Sequence, residues 1–371
     1  MKVFLVAGAR PNFMKIAPLY RVSKTVEEVT CKIVHTGQHY DYEMSQAFFD
    51  DLELPEPDYF LDAGSGSHAV QTANIMIEFE KVLKGERPDY VVVVGDVNST
   101  LACSVVAKKQ LVKVAHVEAG LRSRDMEMPE EINRIVTDAI ADLFFVTEQS
   151  GIDNLLQEGK PAPALHLVGH VMIDNLLHQV ERLATNGAQS LVTYPLKSKY
   201  PEYCFMTLHR PSNVDSETVF KGIAGALNRI AEEFPIFFPV HPRTRKMMDN
   251  FNIRFSDNII CLKPLGFREA LYLWQDAVVV ITDSGGLQEE TTGLGVPCVT
   301  IRENTERPIT VQMGSNVLAG TSHHGILAAF RHSVNNRSVR KKPPLWDGMA
   351  SHRIWEIMCQ RGKRNSDGLS D

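Results

Sequence analysis

No two cysteines in this 371-residue chain are spaced C-x-x-C, although six are present. A structural zinc or a disulfide framework is disfavoured by that spacing. Cys31, Cys103, Cys204, Cys261 and Cys298 stand among valine, isoleucine, alanine or phenylalanine. They read as small core hydrophobes of a reducing compartment. No apolar run approaches the roughly 20 residues of a membrane span. The opening apolar stretch meets Arg10, Pro11 and Lys15 too early to read as a signal peptide, so the cytoplasm is the expected location. Positive charge is not in excess either: 39 basic against 45 acidic residues give a formal charge of -6. That balance argues against nucleic acid as the main partner and leaves room for an anionic small ligand held by local cations. A Walker-type GK[ST] loop and an HExxH pair are also missing. Gly64-Ser65-Gly66-Ser67-His68-Ala69 has the spacing G-x-G-x-x-A, but the stretch about 20 positions later, KGERPD, offers no acidic strand end. A loop before a helix from Val70 is the better reading than a nicotinamide site.

What is present is a soluble globular composition, 44% hydrophobic and 23% charged, on a chain long enough for two cores. Short β-branched runs alternate with amphipathic stretches. Strands are expected at Lys2–Ala7, Lys32–Thr36, Tyr90–Val94, Val112–Val117, Leu143–Val146 and Leu165–Val168. After a polar, proline-bearing segment at 186–201 the rhythm restarts with Cys204–Leu208, Ile236–Val240, Ile259–Leu262, Ala277–Ile281, Cys298–Ile301 and Asn316–Leu318. VVVV at 91–94 and VVVI at 278–281 are apolar on both faces, as in parallel strands covered by helices on both sides. The pattern predicts an α/β protein of two Rossmann-like, doubly wound domains facing across a cleft. The expected division is 1–168 and 169–349, with a basic, proline-containing linker at Arg340–Pro344. A C-terminal helix at about 350–361 packs back on the first domain, and Gly362–Asp371 look frayed.

Ligands of such sheets bind beyond the carboxyl ends of the strands, and several chemically active residues stand there. Asp96 follows the run 90–94; it is either reactive or a cap for a helix from Ser99. Glu118 closes the next strand in His116-Val117-Glu118-Ala119-Gly120-Leu121-Arg122, and a buried carboxylate there is either paired, with Arg122 as the nearest candidate, or catalytic. Met128-Pro129-Glu130-Glu131-Ile132-Asn133-Arg134 reads as a helix start with acids facing the dipole. Only one of Glu130 and Glu131 can face a cleft squarely, leaving the other for Arg134. In the second half His209-Arg210 and His241-Pro242-Arg243 close successive strands, which favours an anion site. Thr282-Asp283-Ser284-Gly285-Gly286-Leu287-Gln288-Glu289-Glu290 passes from strand to helix through two glycines. Exposed backbone N–H groups at a helix N terminus attract a diphosphate, although a plain glycine turn has the same pattern. Glu290 lies on the first turns, suitably for ribose hydroxyls, and Arg307 downstream could reach the same phosphates.

ARPNFMK, GDVNST, HVEAGLR, MPEEINR, LHRPSN, VHP, TDSGGLQEE and TERP, taken in order, resemble the UDP-N-acetylglucosamine 2-epimerase family, specifically its non-hydrolysing bacterial branch. The resemblance covers about residues 1 to 360. It implies a glycosyltransferase-B-like fold and a homodimer that interconverts UDP-GlcNAc and UDP-ManNAc without a redox cofactor or metal. It further implies that ManNAc serves cell-envelope polysaccharide synthesis. By the same resemblance Asp96, Glu118, Glu130 and His209 are the catalytic residues. The substrate-binding set is Arg10, Lys15, Gln38, His39, Arg210, His241, Phe267, Ser284, Gly285, Gly286, Glu290 and Arg307. Three departures stand out. Asn12 follows the opening Arg-Pro where many members have Glu. Leu208-His209-Arg210-Pro211-Ser212 replaces the usual glycine-His-Arg-Arg-Glu. The surroundings of Gln38-His39 differ from the segment linked to substrate activation. A hydrolysing epimerase, an epimerase of a related UDP-sugar, a UDP-sugar glycosyltransferase and a non-catalytic nucleotide-sugar sensor are the alternatives, because fold alone does not choose among them.

Overall fold

Thirteen strands form two all-parallel sheets in a computed structural model that describes residues 1–37, 49–185, 187–337 and 342–366. The side chains of Arg10 and of residues 364–366 fall outside that description, as do Gln38 and His39 entirely. The chain divides into two units, Met1–Asn175 with Pro344–Asp371, and Leu176–Pro343. The division falls inside the helix Val171–Thr185.

In the first unit β1 (Lys2–Ala7), β2 (Thr30–His35), β3 (Tyr59–Phe60), β4 (Tyr90–Val94), β5 (Lys113–Val117), β6 (Leu143–Val146) and β7 (Leu165–Leu167) pair in the order β3-β2-β1-β4-β5-β6-β7. Every residue of β4 is buried, which explains the run YVVVV: a central strand covered on both faces has no position for a polar side chain. The two-residue β3 is too short to carry any periodicity and was not expected. In the second unit β8 (Cys204–Thr207), β9 (Ile236–Pro239), β10 (Ile259–Leu262), β11 (Val280–Thr282), β12 (Cys298–Thr300) and β13 (Asn316–Leu318) order as β10-β9-β8-β11-β12-β13. The strand order reverses direction between β1 and β4 and again between β8 and β11, and these are the points where doubly wound sheets open a crevice at their carboxyl ends.

The C-terminal helix, Ala350–Ser366, belongs to the first unit. Ile354, Trp355 and Met358 complete a core with Leu5, Ile16 and Leu19, and the Trp355 indole donates to Leu19 O at 2.8 Å. Its first turn is held by Asp174, whose carboxylate accepts the backbone N–H of Ala350 at 3.1 Å and of Ser351 at 2.6 Å. The helix continues past Gly362, where fraying was expected, and Lys363 pairs with Glu28 at 3.0 Å. Cys103, Cys204 and Cys298 are buried as expected, but Cys261 is exposed and Cys31 half-buried. Cys261 lies on the edge strand β10, which among the described residues has a neighbouring strand on one side only. No helix among the described residues is long and apolar enough to cross a membrane.

Candidate active site

At the switch point of the first sheet, β1 runs into the helix Arg10–Ser23 and β4 into the turn before Asn98–Lys109. Asn12 joins the two. Its side-chain oxygen accepts the N–H of Gly8 and Ala9 at 3.3 and 3.1 Å, and its amide donates to Val94 O at 3.2 Å. This departure from the family pattern is therefore a buried backbone clamp. Lys15, one turn further on, pairs with Glu118, which is 3% exposed. Glu118 does not pair with Arg122. That arginine turns instead to Asp138 and Glu158, at 2.8 and 2.7 Å. The reason is backbone shape: Glu118 sits at φ 68°, a left-handed conformation that L-residues other than Gly, Asn and Asp seldom adopt. Its carboxylate lies on the β4 side, 3.7 Å from where a Cβ on Gly95 would stand. Strain of this kind persists where the surroundings over-determine it and is common at functional positions. Gly95 itself has φ +67°, and a Cβ there would come within 2.8 Å of the Lys15 ammonium.

Asp96 is not a helix cap. The N-cap position of Asn98–Lys109 is Val97, without a side-chain bond, and Asp96 instead accepts from Arg134 Nε and Nη2 at 3.1 and 2.8 Å. Arg134 also reaches Glu131 at 2.6 Å, while Asn133 donates to Asp96 O at 2.8 Å. The helix Pro129–Ile140 thus carries, on successive residues, two supports of the Asp96 turn. Glu131 is 1% exposed and also accepts the N–H of Ser123 and Arg124, each at 2.9 Å. Burial would raise its carboxyl, but these two amides and Arg134 outweigh burial and lower it. Glu130, next to it, is half-buried, with no ion pair or side-chain hydrogen bond among the described residues.

Beneath these turns lies a group that sequence reasoning passed over. Buried His116 donates from Nε2 to Gly95 O at 2.8 Å, and its Nδ1 lies 2.6 Å from Asp138. Asp138 accepts the N–H of Gly120 at 3.0 Å. His116 and Arg122 hold the Asp138 carboxyl below its ordinary value against the opposing effect of burial. The turns after β4 and β5, bearing Asp96 and Glu118, are therefore tied to one another and to the helix of Glu130. The alternation of buried histidine at the end of β5 with an acid on the following helix was the available signal.

The second sheet repeats the arrangement with different chemistry. His209 and Arg210 follow β8, and both donate backbone N–H to Asp283 at the end of β11, at 2.9 and 2.8 Å. The His209 ring lies 5.6 Å from that of His241, which caps the helix Pro242–Asn250 by accepting the N–H of Arg243 at 3.2 Å. Phe267 is half-buried at the start of the helix Phe267–Trp274. Ser284 is the N-cap of the helix Gly285–Leu294. A Cβ on either Gly285 or Gly286 would project into open space. Glu290 is 9% exposed on this helix, and burial with the neighbouring Glu289 pushes its carboxyl up to about 8. Arg307 Nε lies 2.8 Å from Glu289. The loop bearing Arg307 is fastened by Thr305, which donates to Gln288 at 2.7 Å, and by a two-bond pair of Glu306 with Arg302 at 2.9 and 2.6 Å. That pair holds the Glu306 carboxyl down at about 2. Among the described residues no cluster of three or more His, Cys, Asp or Glu could hold a metal ion.

The family model for UDP-N-acetylglucosamine 2-epimerase matches residues 22–359, and the chain belongs to that family. It is thereby an isomerase of nucleotide sugars. A UDP-N-acetylglucosamine 2-epimerase of Methanocaldococcus jannaschii is 39% identical over 364 residues, covering 96% of this chain and 99% of that one. A UDP-2,3-diacetamido-2,3-dideoxy-D-glucuronate 2-epimerase of Pseudomonas aeruginosa is 38% identical, covering 97% and 100%. The crystal structure of the M. jannaschii enzyme in complex with UDP-GlcNAc and UDP superposes with a TM-score of 0.83 at 40% identity, covering 97% of this chain and 100% of that one. The Neisseria meningitidis enzyme bound to UDP-GlcNAc gives a TM-score of 0.85 at 29% identity, with 97% and 100% covered. The two parallel sheets are thus those of the glycosyltransferase-B type.

Proposed function

We propose that this protein interconverts UDP-GlcNAc and UDP-ManNAc by elimination and re-addition of UDP, without hydrolysis. The observation that carries the reading is the start of the helix Gly285–Leu294. At Gly285 and Gly286 there is neither a crowded Cβ position nor a positive φ, so nothing among the described residues demands glycine there. Bare backbone N–H groups at a helix N terminus are what a diphosphate needs.

The C2 hydrogen of the sugar is not adjacent to a carbonyl, so direct deprotonation is out of reach. Loss of UDP from C1 with removal of the C2 proton breaks the C1–O and C2–H bonds and forms a glycal. Re-addition of UDP at C1, with a proton delivered to the opposite face of C2, inverts that centre. In this reading Asp96, Glu118, Glu130 and His209 share the acid and base work. Arg134 and Lys15 hold the side chains of Asp96 and Glu118 in place. UDP and the sugar fall to Arg10, Lys15, Gln38, His39, Arg210, His241, Phe267, Ser284, Gly285, Gly286, Glu290 and Arg307. The second unit thus takes the nucleotide and stabilises charge on the departing diphosphate. A cytoplasmic homodimer supplying ManNAc units for polysaccharide synthesis completes the proposal.

Incubation with UDP-GlcNAc in deuterated water, followed by NMR, tests it. Deuterium should enter C2 of UDP-ManNAc and of recovered UDP-GlcNAc, with chelator present and no nicotinamide added. Stoichiometric free ManNAc and UDP would instead assign the hydrolysing reaction. The similarity to the P. aeruginosa relative, 38% against 39%, favours a second reading, a sugar bearing a 3-acetamido group and a carboxylate. Turnover of that sugar alone would select it.

A further inference from the structure

One fully buried acid of the second unit has no part in the scheme above. Asp283 is 0% exposed and is surrounded by donors. Oδ2 accepts the backbone N–H of His209 at 2.9 Å, that of Arg210 at 2.8 Å and the Asn213 amide at 3.1 Å. Oδ1 lies 2.9 Å from His209 Nδ1. Burial would raise the Asp283 carboxyl, but the His209 ring and these amides outweigh it and lower it. The carboxylate therefore only accepts, and His209 Nδ1 is the donor of their contact.

We propose that Asp283 is the positioning residue for His209, fixing its imidazole with the proton on Nδ1 so that Nε2 is the nitrogen that exchanges a proton with the substrate. The inference rests on the reading of His209 as an acid–base group. A buried carboxylate on Nδ1 selects both tautomer and ring orientation. The surroundings restrict the ring further. Asn213 is pinned by a second bond, to Ile301 O at 3.0 Å, so it holds the Asp283 carboxylate from the far side. The Asp283 carbonyl accepts Arg210 Nε at 3.0 Å, so one residue grips the turn after β8 through both side chain and backbone. Asp283 also immediately precedes Ser284, so the imidazole and the helix N terminus are registered to one another through adjacent residues.

Two measurements on the full chain test this. In the first, Asp283→Asn, His209→Asn and the double variant are compared in turnover of UDP-GlcNAc. Asp283→Asn should lower kcat and kcat/KM together, by at least about 100-fold, as expected when an interaction expressed in the transition state is lost. In kcat the double variant should be far less impaired than the product of the two single losses, because the part of the effect routed through His209 vanishes with it, whereas the Arg210 contacts of Asp283 act on substrate binding. Additive losses would overturn the proposal. In the second, nitrogen-15 NMR of labelled histidine at about pH 9, above the ordinary histidine range, reads the tautomer directly. The His209 signal, identified by its loss in His209→Asn, should show Nδ1–H. An Nε2–H pattern in the wild-type protein would overturn the assignment by itself, whether or not Asp283→Asn folds. Failure of the wild-type enzyme to turn over UDP-GlcNAc would count against the proposed reaction, and the tautomer would still judge the role of Asp283.

Discussion

Replacing Glu290 by Gln should stabilise the protein, and only above a definite pH. The folded chain keeps the Glu290 proton up to about pH 8 because burial and Glu289 disfavour the charge. The unfolded chain releases it near the ordinary value of 4.5. Between those two values the folded state binds the extra proton, so stability falls as pH rises across that window and levels off above it. At about 1.4 kcal/mol per pH unit the loss is about 3 kcal/mol at pH 7 and about 5 kcal/mol above pH 8. A neutral glutamine removes the loss. For a unit of this size the gain at pH 7 corresponds to about 6 to 12 °C in Tm. Thermal unfolding of both proteins from pH 4 to 9 is the assay. The curves should run together near pH 4 and diverge steadily to about pH 8. A pH-independent offset between them would reflect only the glutamine amide, so the slope is the readout. Parallel curves across the whole range would refute the burial argument. The stabilised variant should also bind UDP more weakly, since the same carboxyl is assigned to the nucleotide.

Three further outcomes are expected. Lys15→Met leaves the buried Glu118 carboxylate without its cation and should cost about 3 to 5 kcal/mol in urea unfolding; adding Glu118→Gln should recover most of it, and no recovery would mean that the pair is not the source. Glu131, Asp138 and Asp283 have lowered carboxyls, so their stabilisation is complete above the unfolded values near 4 and lost as pH falls through the folded ones; Asp138→Asn should flatten the acid limb of a stability–pH profile. Gly169 has φ +89°, and a Cβ there would stand 2.0 Å from Leu345 O. Gly169→Ala should therefore expose the segment before Ala350 to limited proteolysis, with protection equal to wild type contradicting the packing.

Strand positions were legible because parallel strands in the middle of a sheet demand uninterrupted apolar runs, and the turns that follow them were legible because carboxyl ends collect polar residues. Partner choice was not. Glu118 has Arg122 four positions away, yet left-handed backbone at Glu118 directs its carboxylate to Lys15. Asp96 resembles a cap by position, but Arg134, on a helix 38 residues downstream, claims it. Of the adjacent acids 130 and 131, helical geometry indicated that one would pair with Arg134, and the backbone amides of Ser123 and Arg124 decide that it is Glu131. Asp283 stood in a stretch read for its glycines, and its function as the acceptor for the turn after β8 depends on strand order, which no local pattern encodes. Cys261 was misjudged for the same reason: its neighbours are apolar, but its strand is at an edge.

The return of the C-terminal helix to the first unit has a consequence for biosynthesis. The indole of Trp355 and the carbonyl of Leu19, bonded at 2.8 Å, are separated by 336 positions. At 5 to 20 residues per second, a ribosome needs about 17 to 67 s to cover that interval. During that time the face that receives Ile354, Trp355 and Met358 lacks its covering, while the whole second unit, 176–343, is made and is free to fold. The first unit is therefore completed only after the second has been made, and its apolar face around Leu5, Ile16 and Leu19 stays uncovered until then.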